Sequence, residues 1–174
     1  ENGTCWDESV ENKLIVLNDS TVAGYRYSKG WANDQRVYFV AKFSRPFSKF
    51  QLYDKNTAKD GTELVSKQVY GEAIYGQMGA EPVFVKVALS PVSIENAELN
   101  MKAELAGWDF DKVRSQAYNA WNTELAKIKI KTEDEAVKRI FYTALYHTMI
   151  APSVFGDVNG DYRGADGNYH IGIL

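Results

Sequence analysis

The densest set of groups able to do chemistry in this chain is the run Asp157-Val158-Asn159-Gly160-Asp161-Tyr162-Arg163-Gly164-Ala165-Asp166-Gly167-Asn168. Carboxylate and amide oxygens at its first, third and fifth places suit a hard cation such as calcium, which takes several oxygen ligands at short range. The match then stops, because an EF-hand loop carries Gly sixth and Glu twelfth, where this chain has Tyr162 and Asn168. The same residues suit a purely structural turn, with Asn and Asp side chains bonded to nearby backbone N–H groups and Gly160 and Gly164 at positive φ. Arg163 likewise has two readings. It is either a structural arginine paired between Asp161 and Asp166, or a planar fork offered to a ligand hydroxyl or a neighbouring carboxylate.

Other chemistry is sparse. His147 and His170 are the two histidines. No Ser or Cys nucleophile with an orienting acid can be paired with His147 by pattern, and its place on an apolar helical stripe reads as a hydrogen-bonded core residue. No nucleophile elbow, phosphate loop or HExxH pattern occurs. Cys5 is the single cysteine, which excludes an internal disulfide and a cysteine-built zinc site. Of the 4 tryptophans, Trp121 falls on a helical stripe and reads as packing, whereas Trp31 sits in a polar turn and is the best candidate for an exposed sugar-stacking platform. Asn2-Gly3-Thr4 and Asn18-Asp19-Ser20 match the glycosylation acceptor pattern.

These groups must be positioned by two kinds of element. Segments 13–17, 22–27, 36–43, 50–53, 68–75 and 83–89 are short, rich in Val, Tyr and Phe, and separated by turn residues, which predicts strands. Segment 37–43 is apolar at nearly every place, so both of its faces should be covered. Six such strands predict packed antiparallel sheets. After Pro91 the apolar period becomes helical. Ser93 caps a helix to about Leu105, with Gly107 as its stop. Asp109 caps a second helix, with Phe110, Val113, Ala117, Trp121, Leu125 and Ile128 at helical spacing. Thr132 and Glu135 form a capping box for a third, which Pro152 closes.

With 20 Lys plus Arg against 23 Asp plus Glu, the 174-residue chain has a formal charge of −3 and no basic run, so a nucleic-acid partner is not expected. At 45% hydrophobic and 25% charged residues the composition is that of a folded globule. No apolar stretch approaches the roughly 18 residues of a membrane helix, so no membrane span is expected. The first residue is Glu1 and the last are Ile171-Gly172-Ile173-Leu174, from which we expect a piece of a longer polypeptide. Apolar faces left without neighbours would make an oligomer possible.

The segments Phe141-Tyr142-Thr143-Ala144-Leu145-Tyr146-His147-Thr148 and Asp157-Val158-Asn159-Gly160-Asp161-Tyr162-Arg163-Gly164, with Ala23-Gly24-Tyr25-Arg26 and Val37-Tyr38-Phe39-Val40-Ala41-Lys42-Phe43 upstream, resemble glycoside hydrolase family 92. The resemblance runs from about Leu14 to about Gly167. Members are exo-acting α-mannosidases typical of gut Bacteroidetes. It implies an α+β chain: part of an N-terminal antiparallel β-sandwich over 1–90, a helical linker over 91–131, and the first helix of a catalytic (α/α)6 toroid over 132–174. It also implies an inverting reaction on mannose-containing glycans, of α-1,2 type, with one carboxylic acid protonating the leaving oxygen and a carboxylate activating water across about 6.5–9.5 Å. Calcium would hold the mannose in the parent enzyme. The acid, the base and the calcium ligands of the family would fall beyond Leu174, so this piece alone should bind no metal and turn over no substrate. Within it, the resemblance leaves Asp161, Tyr162, Arg163 and Asp166 as candidate substrate-binding residues. The family pattern continues through a His-Glu pair, whereas His170 is followed here by Ile171, so no role carries over to His170. Secretion or a periplasmic location is implied for the parent. The alternative from a different class is a carbohydrate-binding or structural β-sandwich without catalysis.

Overall fold

The computed structural model describes residues 6–77, 79 and 81–172. Cys5, the Asn2-Gly3-Thr4 sequon, Ile173 and Leu174 lie outside the described residues. Two compact units emerge, Glu1–Ala106 with Phe155–Leu174, and Gly107–Val154.

The first unit is a sandwich. Strands β1 (Glu8–Asn18), β2 (Thr21–Lys29), β3 (Gln35–Phe43), β6 (Glu63–Ser66) and β8 (Val85–Ser90) form one sheet in the order β6-β1-β2-β3-β8. Strands β4 (Lys49–Asp54), β5 (Thr57–Lys59) and β7 (Val69–Ile74) form a second, in the order β5-β4-β7. All their pairings are antiparallel. Because side chains alternate across a strand, β2 and β3 supply two cores at once. Val22, Ala41 and Phe47 cluster with Leu14, Val16, Phe39, Phe50 and Ala73 between the sheets. Ala23 and Val40, on the other face, bury Ala97 and Met101 of helix α1 (Ile94–Glu104). This is why segment 37–43 is apolar at nearly every place.

The six expected strands are all present. Strands β5 and β6 were not expected, since three or four residues of mainly polar, partly exposed sequence carry no readable alternation. Ser93 caps α1 as expected, accepting a hydrogen bond from the Asn96 amide at 3.0 Å.

Gly24 is required by the sheet. A Cβ built on it would lie 1.9 Å from the Lys13 carbonyl oxygen on the neighbouring strand, a backbone atom that cannot swing away. Gly24→Ala is therefore expected to lower the unfolding free energy by about 2 kcal/mol in urea titration; an unchanged midpoint would contradict this close approach.

The second unit holds α2 (Phe110–Leu125) and α3 (Glu135–Thr148). Asp109 caps α2 by accepting from the Lys112 amide at 2.9 Å. The cap of α3 differs from the expected box: Asp134 is the N-cap, accepting from the Ala136 and Val137 amides, and Thr132 accepts from the Asp134 amide one step upstream. A carboxylate two residues before Ala136 reaches those donors more directly and suits the positive end of the helix. Trp121 packs edge-on against Tyr146, with centroids 4.6 Å apart. On α3, Val137 and Ile140 are exposed, while Phe141 and Leu145 are half-buried. His147 is exposed as well, so the core role expected for it is corrected: the helix face it shares has no neighbour here to bury it.

Candidate functional site

The chain re-enters the first unit at Phe155 and closes with the hairpin β9 (Asp161–Arg163) and β10 (Tyr169–Ile171). What fixes this segment is a buried carboxylate. Asp157 is 7% exposed. Its Oδ2 accepts from the Ser90 hydroxyl at 2.7 Å and from the Asn96 amide at 2.9 Å, and its Oδ1 accepts from the Asn100 amide at 2.7 Å. Asn100 returns the contact by accepting from the Val158 N–H at 2.9 Å and also donates to the Leu89 carbonyl. Ser90 ends β8, while Asn96 and Asn100 stand one helical turn apart on α1, so strand, helix and loop are tied at one point. A buried anion is tolerable only when its lone pairs are met, and three donors meet them here.

The run that opened the sequence reading is therefore a structural turn. Asn159 donates to Asp161 Oδ2 at 2.7 Å and accepts from the Asp161 N–H at 3.1 Å, while the Asn96 amide also reaches Asp161 Oδ2 at 2.9 Å. Both Asp157 oxygens, Asp161 Oδ2 and Asn159 Oδ1 face amide or hydroxyl donors instead of a cation. They do not fit a calcium cage, and among the described residues no three His, Cys, Asp or Glu side chains converge on a common point. Gly160 takes positive φ as expected; Gly167 does so too, and Gly164 does not. At Gly164 a Cβ would lie 2.6 Å from Asp166 Oδ1 and 2.8 Å from the His170 ring, two side-chain ends that would have to shift to admit it.

Arg163 pairs with neither Asp161 nor Asp166. Its Nη2 donates to Asp34 Oδ2 at 2.7 Å and its Nη1 to the Asp34 carbonyl at 3.0 Å, across 129 residues of sequence. Only 12% of the side chain is exposed, and its Nε is buried without a partner. Asp34 also accepts from Arg36 Nε at 3.1 Å, and Arg36 lies over the Tyr27 ring, 4.9 Å from its centroid. The Arg36 hydrogen bond, joined by the nearby Arg163 charge, holds the Asp34 carboxyl below its usual range against the opposing effect of burial.

Asp166 accepts from the Asn168 side chain and backbone, each at 3.0 Å, and faces His170 Nε2 at 3.1 Å. Those bonds, the Asn168 side chain first and His170 second, lower its pKa from 3.8 to about 2. A depressed carboxyl gives support that is complete above its ordinary value and is lost as pH falls through the folded one. The Asn168 amide resonance is expected to titrate with a midpoint at about 2; a midpoint at 3.8 would contradict the bonding of this turn.

Between the β2–β3 loop and the hairpin lies a cleft of about 860 Å³ whose polar lining includes Arg26, Asp34, Gln35, Arg36, Arg163 and Asp166. Two of the four expected substrate-binding residues, Arg163 and Asp166, line it. Asp161 is turned to Asn96, and Tyr162 stacks on His170 with centroids 5.4 Å apart. Sequence reasoning missed Asp34, which lies in a polar loop that carries no pattern, and Arg36, which stands at the start of β3. It also passed over Asn96 and Asn100, although two amides a turn apart beside the apolar stripe of α1 were a legible sign of buried polar bonding.

Residues 1–90 match the glycosyl hydrolase family 92 N-terminal domain and residues 96–172 the family 92 catalytic domain, with the join beside Pro91. A family GH92 α-mannosidase from Bacteroides thetaiotaomicron superposes with a TM-score of 0.90 at 31% identity, covering 97% of this chain and 24% of that one. Its complex with mannoimidazole gives the same TM-score and identity. A family GH92 inverting mannosidase from Bacteroides thetaiotaomicron VPI-5482 shares the fold, at TM-score 0.86 and 24% identity, over 94% of this chain and 24% of its own. An uncharacterized secreted glycosidase of Arthroderma benhamiae is 34% identical over 85 residues, 47% of this chain and 11% of that protein. The chain thus spans about a quarter of the length of the solved relatives. With both domains of the family matched in order along it and the sandwich-to-helix architecture shared, the chain belongs to glycosyl hydrolase family 92.

Proposed function

We propose that this chain is a section of an exo-acting α-mannosidase that removes mannose from mannose-containing glycans. The observation that carries the reading is the superposition, over 97% of the chain, on an α-mannosidase that has also been seen with mannoimidazole. Within the proposal, 1–90 is sandwich, 91–131 linker and 132–174 the start of the catalytic toroid. The reaction inverts at the anomeric carbon, the linkage is of α-1,2 type, and the acid, the base and the calcium that grips the mannose belong to residues following Leu174.

The charge state of the cleft supports that assignment. A glycosidase acid must keep its proton near the working pH, which calls for a raised carboxyl pKa. Asp34 and Asp166 are both shifted the other way, by Arg36 and by Asn168 respectively. Ionised and already engaged, they suit accepting sugar hydroxyls rather than donating a proton. We therefore assign Arg163 and Asp166 to direct contact with the glycan, and Asp161 and Tyr162 to holding the hairpin that presents them. The amide donors on both Asp157 oxygens and on Asp161 Oδ2 support assigning the calcium to other residues. No helix of the described residues is long and apolar enough to cross a membrane, and export of the protein, to the periplasm or outside the cell, is proposed from the secreted relative.

The test is hydrolysis of an aryl α-mannoside by this chain alone and by the protein extended to the length of its relatives, each with and without a chelator. Turnover is expected only from the extended, unchelated protein. Turnover by the 174 residues alone would overturn the assignment of the working carboxylates. The second reading, a binding module, is favoured by the sandwich having its own core; saturable binding of mannose oligosaccharides by a chain whose extended form hydrolyses nothing would select it.

A further inference from the structure

Tryptophan is the costliest side chain to leave in water, because so much of its area is apolar. Trp6 and Trp31 are nonetheless 81% and 88% exposed, and they stand together, with ring centroids 6.0 Å apart and planes tilted by 31°. Each is joined to the cleft by its chain neighbour. Trp31 precedes Ala32 and Asn33, which line it, and the Gly30 N–H donates to the Ala32 carbonyl at 2.9 Å to fix that turn. Trp6 precedes Asp7, whose carboxylate is paired with Arg26, another lining residue. Gly30 lets the two segments meet, since a Cβ on it would lie 2.6 Å from the Trp6 carbonyl oxygen.

We infer that the Trp6–Trp31 pair is an outer sugar subsite continuous with the cleft, so that the protein recognises an oligosaccharide of consecutive pyranose rings rather than a terminal mannose alone. A pyranose has one face of C–H groups and a rim of hydroxyls. The pair of indoles offers an apolar floor to the first, and the adjacent Arg, Asp, Asn and Gln groups of the cleft offer donors and acceptors to the second. An aliphatic partner would meet only the rings and leave the polar rim unused. This subsite rests on the reading of the protein as acting on mannose-containing glycans.

The experiment compares kcat/KM for an aryl α-mannoside, which has one sugar ring, with that for an α-linked mannotriose, in the extended protein and its Trp31→Ala and Trp31→Phe variants. In Trp31→Ala the ratio of the trisaccharide value to the aryl mannoside value is expected to fall about tenfold, and Trp31→Phe is expected to recover part of it. An unchanged ratio overturns the subsite, whether both values hold or both fall. Should the unmodified protein hydrolyse neither substrate, the mannosidase reading fails, and mannotriose titration followed by tryptophan fluorescence still decides the subsite. Saturable quenching that Trp31→Ala abolishes supports it, and no quenching overturns it.

Discussion

Asp157→Ala is expected to lower the unfolding free energy of the first unit by about 4 kcal/mol and to release the β9–β10 hairpin. The estimate follows from what the carboxylate leaves behind. Ser90 Oγ, Asn96 Nδ2 and Asn100 Nδ2 all donate to it, and the Asp157, Ser90, Asn96 and Asn100 side chains are all buried. Each donor stranded without water or partner costs about 1–3 kcal/mol, offset in part where Ser90 can rotate and where Asn96 retains Asp161. Asp157→Asn separates charge from hydrogen bonding. Its oxygen can serve Ser90 and Asn96, but its amide then meets the Asn100 amide, which cannot turn over without losing the Val158 N–H and the Leu89 carbonyl. That variant should cost about 2 kcal/mol. Urea titration with Asn168 and His170 resonances as local reporters checks both; equal, near-zero effects would show that the segment is held by something else.

Arg163→Ala is expected to cost about 3 kcal/mol, and in the extended protein to raise KM for mannosides at least tenfold. The guanidinium meets Asp34 with two N–H groups, one on the carboxylate and one on the carbonyl, and only 12% of the side chain is exposed. A lysine carries the charge without the fork, so Arg163→Lys should recover less than half of the loss. Asp34 is more open, at 45% exposed, and remains bonded to Arg36. Exposure screens part of the attraction, so the pair should show a coupling of about 2 kcal/mol in a double-mutant cycle with Asp34→Ala. Simple additivity would show that the hairpin and the β2–β3 loop are held independently.

How far the sequence announced this arrangement depends on the range of the interaction. The strands of the sandwich were legible because β2 and β3 must be apolar on both faces, with Val22 and Ala41 toward one sheet and Ala23 and Val40 toward α1. Caps at Ser93 and Asp109 were legible because the side chain and its backbone partner are three residues apart. At α3 the same local rule pointed to Thr132, and Asp134 took the cap instead by standing closer to the open N–H groups. Arg163 was read either as paired between Asp161 and Asp166 or as a fork for a ligand or a neighbouring carboxylate, and its partner, Asp34, could not be named because it lies 129 residues away in a loop without periodicity. The Asp157 cluster is similar, since the turn was foreseen while its grip on Asn96 and Asn100, 61 and 57 residues upstream, was not. His147 was read as a core residue and is exposed, because amphipathic spacing reports that a face seeks a neighbour, not that the neighbour is within the same stretch of chain.

The most direct measurement of the central claim is proton NMR of the sugar released from an α-linked mannobiose by the protein extended to the length of its relatives. The account predicts free mannose, appearing first as the β-anomer and only later mutarotating. Release of no mannose, or liberation of a different sugar from a mixed panel of glycosides, would contradict it.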